Sequence, residues 1–216
     1  MALRKGKDIP QDAVKLDEVE ATEYAWKLVE EWDNKYDVWA LRYAPFILGG
    51  INGFSGILIN RFYRQKLKLG TYGYFASVLP ISIMPAILTS LFHRYLVTTD
   101  MLLMKSSGCV VCYEVRSAAV QVGLGMMYPM VLAPLSAIMF ANRYGTARVP
   151  DHDPRSVFNF VRKITRPFTG LLTVILAGQM VASSILTYFE LRNDFTLRNK
   201  IMQIEAKLIA EKGDSE

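Results

Sequence analysis

Charged residues fall into five blocks along the chain, at 1–42, 61–68, 94–116, 143–166 and 190–216, and four runs without a formal charge lie between them. The longest run, 117–141, has about 25 apolar or small residues, enough to cross a hydrocarbon layer of ~30 Å at ~1.5 Å per residue. A soluble helix of that length would keep a polar face, and its charges would be spread along it. The pattern therefore predicts an all-α integral membrane protein. Four transmembrane helices are expected at about 43–59, 71–92, 117–141 and 167–189. A flexible start and an amphipathic lead-in helix (1–42) precede this membrane domain (43–189), and an amphipathic helical tail (190–216) follows it.

The periodicity adds detail within each segment. Ala25, Leu28, Val29, Trp32, Tyr36 and Trp39 recur at helical spacing, with acids on the other face, so 21–42 reads as one helix with Thr22 as its N-cap, an interfacial lead-in or, as the alternative, a partner-docking helix. The first span has Pro45 in its first turn and Gly49, Gly53 and Gly56 along one stripe, a surface suited to close helix packing in lipid. The second contains Pro80 and Pro85, which predict a kink. His93 ends it and reads as a headgroup-level residue, and 95–104 reads as a short interfacial stretch. Ala133 and Ala137 in the third span, and Gly178 and Ala182 in the fourth, form further small-residue pairs for helix packing. Residues 156–164 could form a short amphipathic helix on the surface. In the tail, Leu197, Ile201, Ile204 and Leu208 make about two heptads.

Composition changes this picture little. The net charge of +5 comes from the connectors rather than from one patch, and no basic tract is interleaved with aromatics, so nucleic acid is not an expected partner. The start turns acidic after seven basic-leaning residues, unlike a transit peptide or a secretory signal, so no cleavable leader is expected. Basic residues dominate 61–68 and 143–166, which places those connectors in the cytosol or matrix and the termini and cysteines on the opposite side.

Candidate chemistry is sparse. Cys109 and Cys112 form the single redox-like motif, open to three readings: a structural disulfide, a pair of inert thiols, or thiol exchange. His93 and His152 fall on opposite sides of this topology, so no zinc site is expected. The spans contain no Asp, Glu, Lys, Arg or His, and Asn52, Gln121 and Gln179 read as helix bridges. No catalytic residue, metal, cofactor or small-molecule substrate is expected. The residues alone describe a non-enzymatic membrane protein acting by contact.

Between Gly49 and Phe189 the chain carries Gly56, Asn60 and Arg64, then Pro80 and Pro85, the Cys109/Cys112 pair, Arg116-Ser117, Tyr128-Pro129, Arg143-Tyr144 and Arg166-Pro167. In this order and spacing the set resembles the transmembrane protein 126 family of small mitochondrial inner-membrane proteins. The resemblance implies a chaperone-like role in building the membrane arm of respiratory complex I (NADH:ubiquinone oxidoreductase). The expected setting is the intermediate assembly complex, with ECSIT, an acyl-CoA-dehydrogenase-like factor, other assembly factors and membrane-arm subunits as partners, and membrane lipid around the spans. A permanent accessory subunit of complex I is the alternative, and a thiol oxidoreductase using Cys109 and Cys112 a further one.

Overall fold

The computed structural model describes residues 16–104, 109–147 and 154–213, and among them the secondary structure is helical throughout. Six helices account for it: α1 (Glu18–Glu31), α2 (Lys35–Lys66), α3 (Tyr74–Leu102), α4 (Val110–Tyr144), α5 (Pro154–Thr165) and α6 (Thr169–Gly213).

The lead-in is two helices rather than one. Asp17, not Thr22, opens α1, with its backbone N–H donating to Glu20 Oε2 at 3.2 Å, while the Thr22 hydroxyl bonds back to Glu18 O at 2.8 Å. The chain then turns through extended Trp32 and Asn34, whose side chain accepts the Tyr36 N–H and starts α2. The short polar run Asp33-Asn34 favours this cap over continuous helix, because both side chains compete for backbone donors. Pro45 accordingly lies well inside α2 and not in a first turn.

Three helical stretches are long and apolar enough to cross a membrane: Tyr74–Leu102, Val110–Tyr144 and Arg155–Glu211, the last running through α5, a 3-10 turn at Arg166–Phe168 and α6. The helix expected as the first span, α2, has sufficient length at 32 residues, but Gly49, Gly50, Asn52, Gly53 and Gly56 dilute its apolar centre. It lies centrally in the bundle, packed on α3, α4 and α6.

The apolar helices also run further than their charge-free stretches. α3 contains two π turns, Leu79–Ile83 around Pro80 and Arg94–Thr98 after His93. The first accommodates a proline that an unbroken α ladder would not. The second carries the helix on to Leu102, so 95–104 is not a separate interfacial piece. α4 starts at Val110, beside the cysteines, and has its own π turn at Gly123–Met127 ahead of Pro129. α6 continues past Phe189 without a break, 45 residues in all and about 67 Å long, so the expected tail is a direct continuation of the last apolar helix rather than a separate element.

Two apolar clusters mark the ends of the bundle. At the end opposite the termini, Ile59, Tyr63, Leu67, Ala133, Ala137 and Phe168 pack together. At the other end, Trp26, Val29, Val38, Leu41, Tyr113 and Leu197 join α1 to the bundle. The helix ends in this head are closed by arginines from other helices. Arg42 donates to Val29 O at 2.6 and 3.0 Å, and Arg198 donates to Met101 O and Leu102 O at 3.1 and 2.9 Å. These carbonyls lie in the last helical turns, where intrahelical donors run short, and the arginines add to the few left, such as the Met104 N–H on Met101 O at 3.1 Å. Lys200 hydrogen-bonds Asp37 and holds its carboxyl below the usual range.

Candidate functional site: a buried polar column

The bundle interior between the head and the middle of α2 is polar. Each surrounding helix contributes polar residues one turn apart: Thr89 and His93 from α3, Ser117 and Gln121 from α4, Gln179 and Ser183 from α6. Asn52 and Ser55 come from α2. All eight are buried.

The upper part holds an ionisable pair. His93 Nε2 lies 2.8 Å from Glu190 Oε2, and the two side chains are 1% and 0% exposed. The Thr98 hydroxyl donates to the second carboxylate oxygen at 3.0 Å. Thr98 reaches it from the π turn that follows His93. His93 Nδ1 is 3.4 Å from Ser117 Oγ, which is 2.7 Å from Ser183 Oγ. His93 is therefore shielded inside the bundle instead of facing solvent or lipid. It faces inward because α3 runs two turns further than its apolar run, which puts the imidazole on the bundle side. Glu190 enters the column because α6 does not end at Phe189. Neither group was expected inside the bundle.

The lower part is a network of amides. Gln121 Nε2 donates to Gln179 Oε1 at 2.6 Å and to Leu48 O at 3.3 Å. Gln179 Nε2 donates to Ser55 Oγ at 3.0 Å, and Ser55 Oγ donates to Gly125 O at 2.7 Å. Asn52 Nδ2 donates to Thr89 Oγ1 at 2.7 Å and to Gln121 O at 3.3 Å. Asn52, Gln121 and Gln179 thus tie α2, α3, α4 and α6 together. Gly125 makes room for the network, since a Cβ there would stand 2.0 Å from Asn52 Oδ1.

Most of the small residues singled out from the sequence pack inside the chain. A Cβ on Gly49 or Gly56 would meet α3 backbone oxygens at 2.5 Å, and one on Gly53 would meet Ala86 Cβ at 3.2 Å. Ala133 and Ala137 are buried in the lower core, and Ala182 packs beside Ala44 and Leu48. Gly178 differs: it has no neighbour within 4 Å, because Gln179 is the residue α6 turns inward at that level.

Cys109 and Cys112 are joined in a disulfide at the start of α4. Both are exposed, and Cys109 Sγ accepts the Cys112 N–H at 3.3 Å. The bridge closes a loop of about one helical turn, so its effect on the unfolded chain is small. Replacing both cysteines by serine is expected to lower the melting temperature by no more than a few degrees and to leave helix content unchanged by circular dichroism. A collapse of the fold would show that the bridge organises the head. Among the described residues no cluster of three His, Cys, Asp or Glu could hold a metal, and His152 lies outside the described residues.

The model of the transmembrane protein 126 family matches residues 22–206. The chain belongs to that family. The match reaches beyond the 49–189 region of likeness and takes in most of α1, the head and most of α6. A Drosophila melanogaster relative, transmembrane protein 126, is 40% identical over 215 residues, 98% of this chain and 96% of the relative. Mouse transmembrane protein 126A is 27% identical over 150 residues, 65% of this chain and 72% of that protein. The rat protein of the same name is 28% identical over 131 residues, 59% and 63% of the two chains. No solved structure matches. His93, Glu190, Gln121 and Gln179 all lie inside the family match, so the polar column is a feature of a family region and not of an added end.

Proposed function

We propose that this protein is a non-catalytic assembly factor, embedded in the mitochondrial inner membrane, that holds membrane-arm subunits of complex I before their final neighbours arrive. Membership in the transmembrane protein 126 family is the observation that carries this reading. Four helices cross the membrane in it, with α2 as the fourth and central one, shielded by α3, α4 and α6. Both termini then share one side with the head. The outward faces remain apolar and open: Phe46, Phe54, Ile87, Val131, Leu135 and Val181 are exposed on the bundle surface. Such faces suit transient contact with hydrophobic subunits, because association in lipid depends on shape and packing. The head, closed by Arg42 and Arg198, offers a rigid platform outside the bilayer for soluble factors of the intermediate assembly complex, ECSIT and the acyl-CoA-dehydrogenase-like factor.

Native-gel complexome profiling of mitochondria with and without the protein tests this. The expected result is migration with partial membrane-arm intermediates and loss of mature complex I on depletion. Migration with finished complex I alone would point to an accessory subunit instead, and migration with neither would remove the complex I role.

A further inference from the structure

The bundle end opposite the head combines three features that belong together at one membrane boundary. The first is charge. Arg61, Lys66, Arg143, Arg162, Lys163 and Arg166 are exposed there, and the described residues 61–73, 143–147 and 155–168 include no acid. The connector's two acids, Asp151 and Asp153, lie outside the described residues.

The second is the shape of α5. Phe160 and Ile164 pack against the lower core, and the Tyr63 hydroxyl lies 2.7 Å from Thr165 Oγ1, fixing the end of α5 to α2. At about 100° per residue, Val161 and Phe158 continue the apolar arc beyond this protein contact, and Phe158 is 68% exposed. Arg162, Lys163 and Asn159 occupy the remaining arc. The helix thus has one side on protein, one bare apolar side, and one basic side. A water-exposed helix has no use for the second, whereas a helix at the edge of a bilayer places it in acyl chains.

The third is an aromatic ring at the same level. Tyr72 stacks on Tyr144 at 4.9 Å, with both exposed, and Phe62 stacks on Phe168 at 3.9 Å. Tyrosines gather at the level of lipid headgroups. The turn that carries Tyr72 is held by buried Arg64, which donates to Gly70 O at 2.9 Å and Tyr72 O at 2.7 Å.

We infer that this end of the bundle binds the phosphates of anionic phospholipids, with Arg143, Arg162, Lys163 and Arg166 as the headgroup contacts and Phe158 inserted beside the acyl chains. The side chains start at the edge of the apolar spans, so their stems can lie along hydrocarbon while the charges reach the phosphate plane. Each basic residue facing an anionic surface is worth roughly fivefold in affinity at low salt. The inference rests on the membrane reading of the chain and is independent of complex I.

The test uses the full-length protein purified in neutral detergent, with phosphatidylglycerol or phosphatidylcholine added to equal mole fractions. Phosphatidylglycerol is expected to raise the melting midpoint by several degrees, and phosphatidylcholine not to. The difference should vanish in 0.5 M salt (a Debye length of roughly 4 Å). It should also vanish in Arg162→Glu/Lys163→Glu, and fall by about half in the milder Arg162→Gln/Lys163→Gln. Both variants should match the unmodified protein in phosphatidylcholine. Equal shifts with the two lipids, or an equal shift from inorganic phosphate at the same concentration, would overturn the inference. So would a shift from an acidic peptide in the absence of any phosphatidylglycerol effect, which would assign the surface to a protein.

Discussion

Glu190→Ala is expected to destabilise the protein by about 3–5 kcal/mol, with His93→Leu close behind. Either change leaves one polar partner buried without the other. Without Glu190, the imidazole keeps only the long contact to Ser117 at 3.4 Å. Without His93, the carboxylate keeps only the Thr98 hydroxyl. Both side chains are essentially unexposed, so bulk solvent does not take the missing partner's place, and an unpaired polar group there costs more than its pair gained. The double variant His93→Leu/Glu190→Met is expected to recover most of the loss, because replacing a buried pair by apolar residues of similar volume is often neutral. Glu190→Gln, which retains hydrogen bonding, should fall between. Denaturation in mixed micelles, followed by circular dichroism, measures all four. Additive losses in the double variant would show that the two residues do not act as a pair. The loss should also appear in the head, because α3 and α6 continue from this pair into it. Limited proteolysis of Glu190→Ala is expected to cut in 191–201, a stretch protected in the unmodified protein.

The architecture was legible to the extent that it depends on where charges stop. Runs without charge located α3, α4 and α6 and the small-residue stripe of α2, since expelling charge from an apolar interior dominates every other preference at those positions. What the runs did not reveal is where the helices end. A helix outlasts its apolar run when its next turns face other helices instead of lipid, as α3 does through its second π turn and α6 does beyond Phe189. His93 and Glu190 were read as boundary residues for that reason. A better signal was present at short range: Thr89/His93, Ser117/Gln121 and Gln179/Ser183 are polar pairs spaced one helical turn apart within apolar surroundings. Such spacing puts both side chains on one face, and a polar face on an otherwise apolar helix must look inward. The partner of each pair could not be read, because the contacts join residues 24 to 124 positions apart. The break at Trp32–Asn34 was missed for a simpler reason. Apolar spacing runs through it unchanged, and a cap made by one asparagine outweighed the periodicity.

Gly56→Val is expected to cost about 3 kcal/mol or to prevent the native bundle from forming, near the upper limit for overpacking a tight interface. A Cβ there would stand 2.5 Å from Ile81 O and 3.0 Å from Ser82 Cα. Both are backbone atoms of the π turn in α3, so no rotamer change relieves the clash, and α2 and α3 must separate. Gly49→Val should behave alike, meeting Ala86 O at 2.5 Å. Gly50 and Gly178 have nothing within 4 Å, so Gly50→Val and Gly178→Val should stay within about 0.5 kcal/mol, the range of ordinary surface changes. The four variants together separate two uses of the glycine stripe on α2. In this chain Gly49, Gly53 and Gly56 already face α3, so they are occupied within one molecule and are not free to join two. Monomer stability should therefore fall in Gly49→Val and Gly56→Val with no specific change in oligomeric state, measured by melting and by analytical ultracentrifugation in the same detergent. Loss of a dimer from an equally stable monomer would mean that α2 turns this face outward and that α3 packs elsewhere.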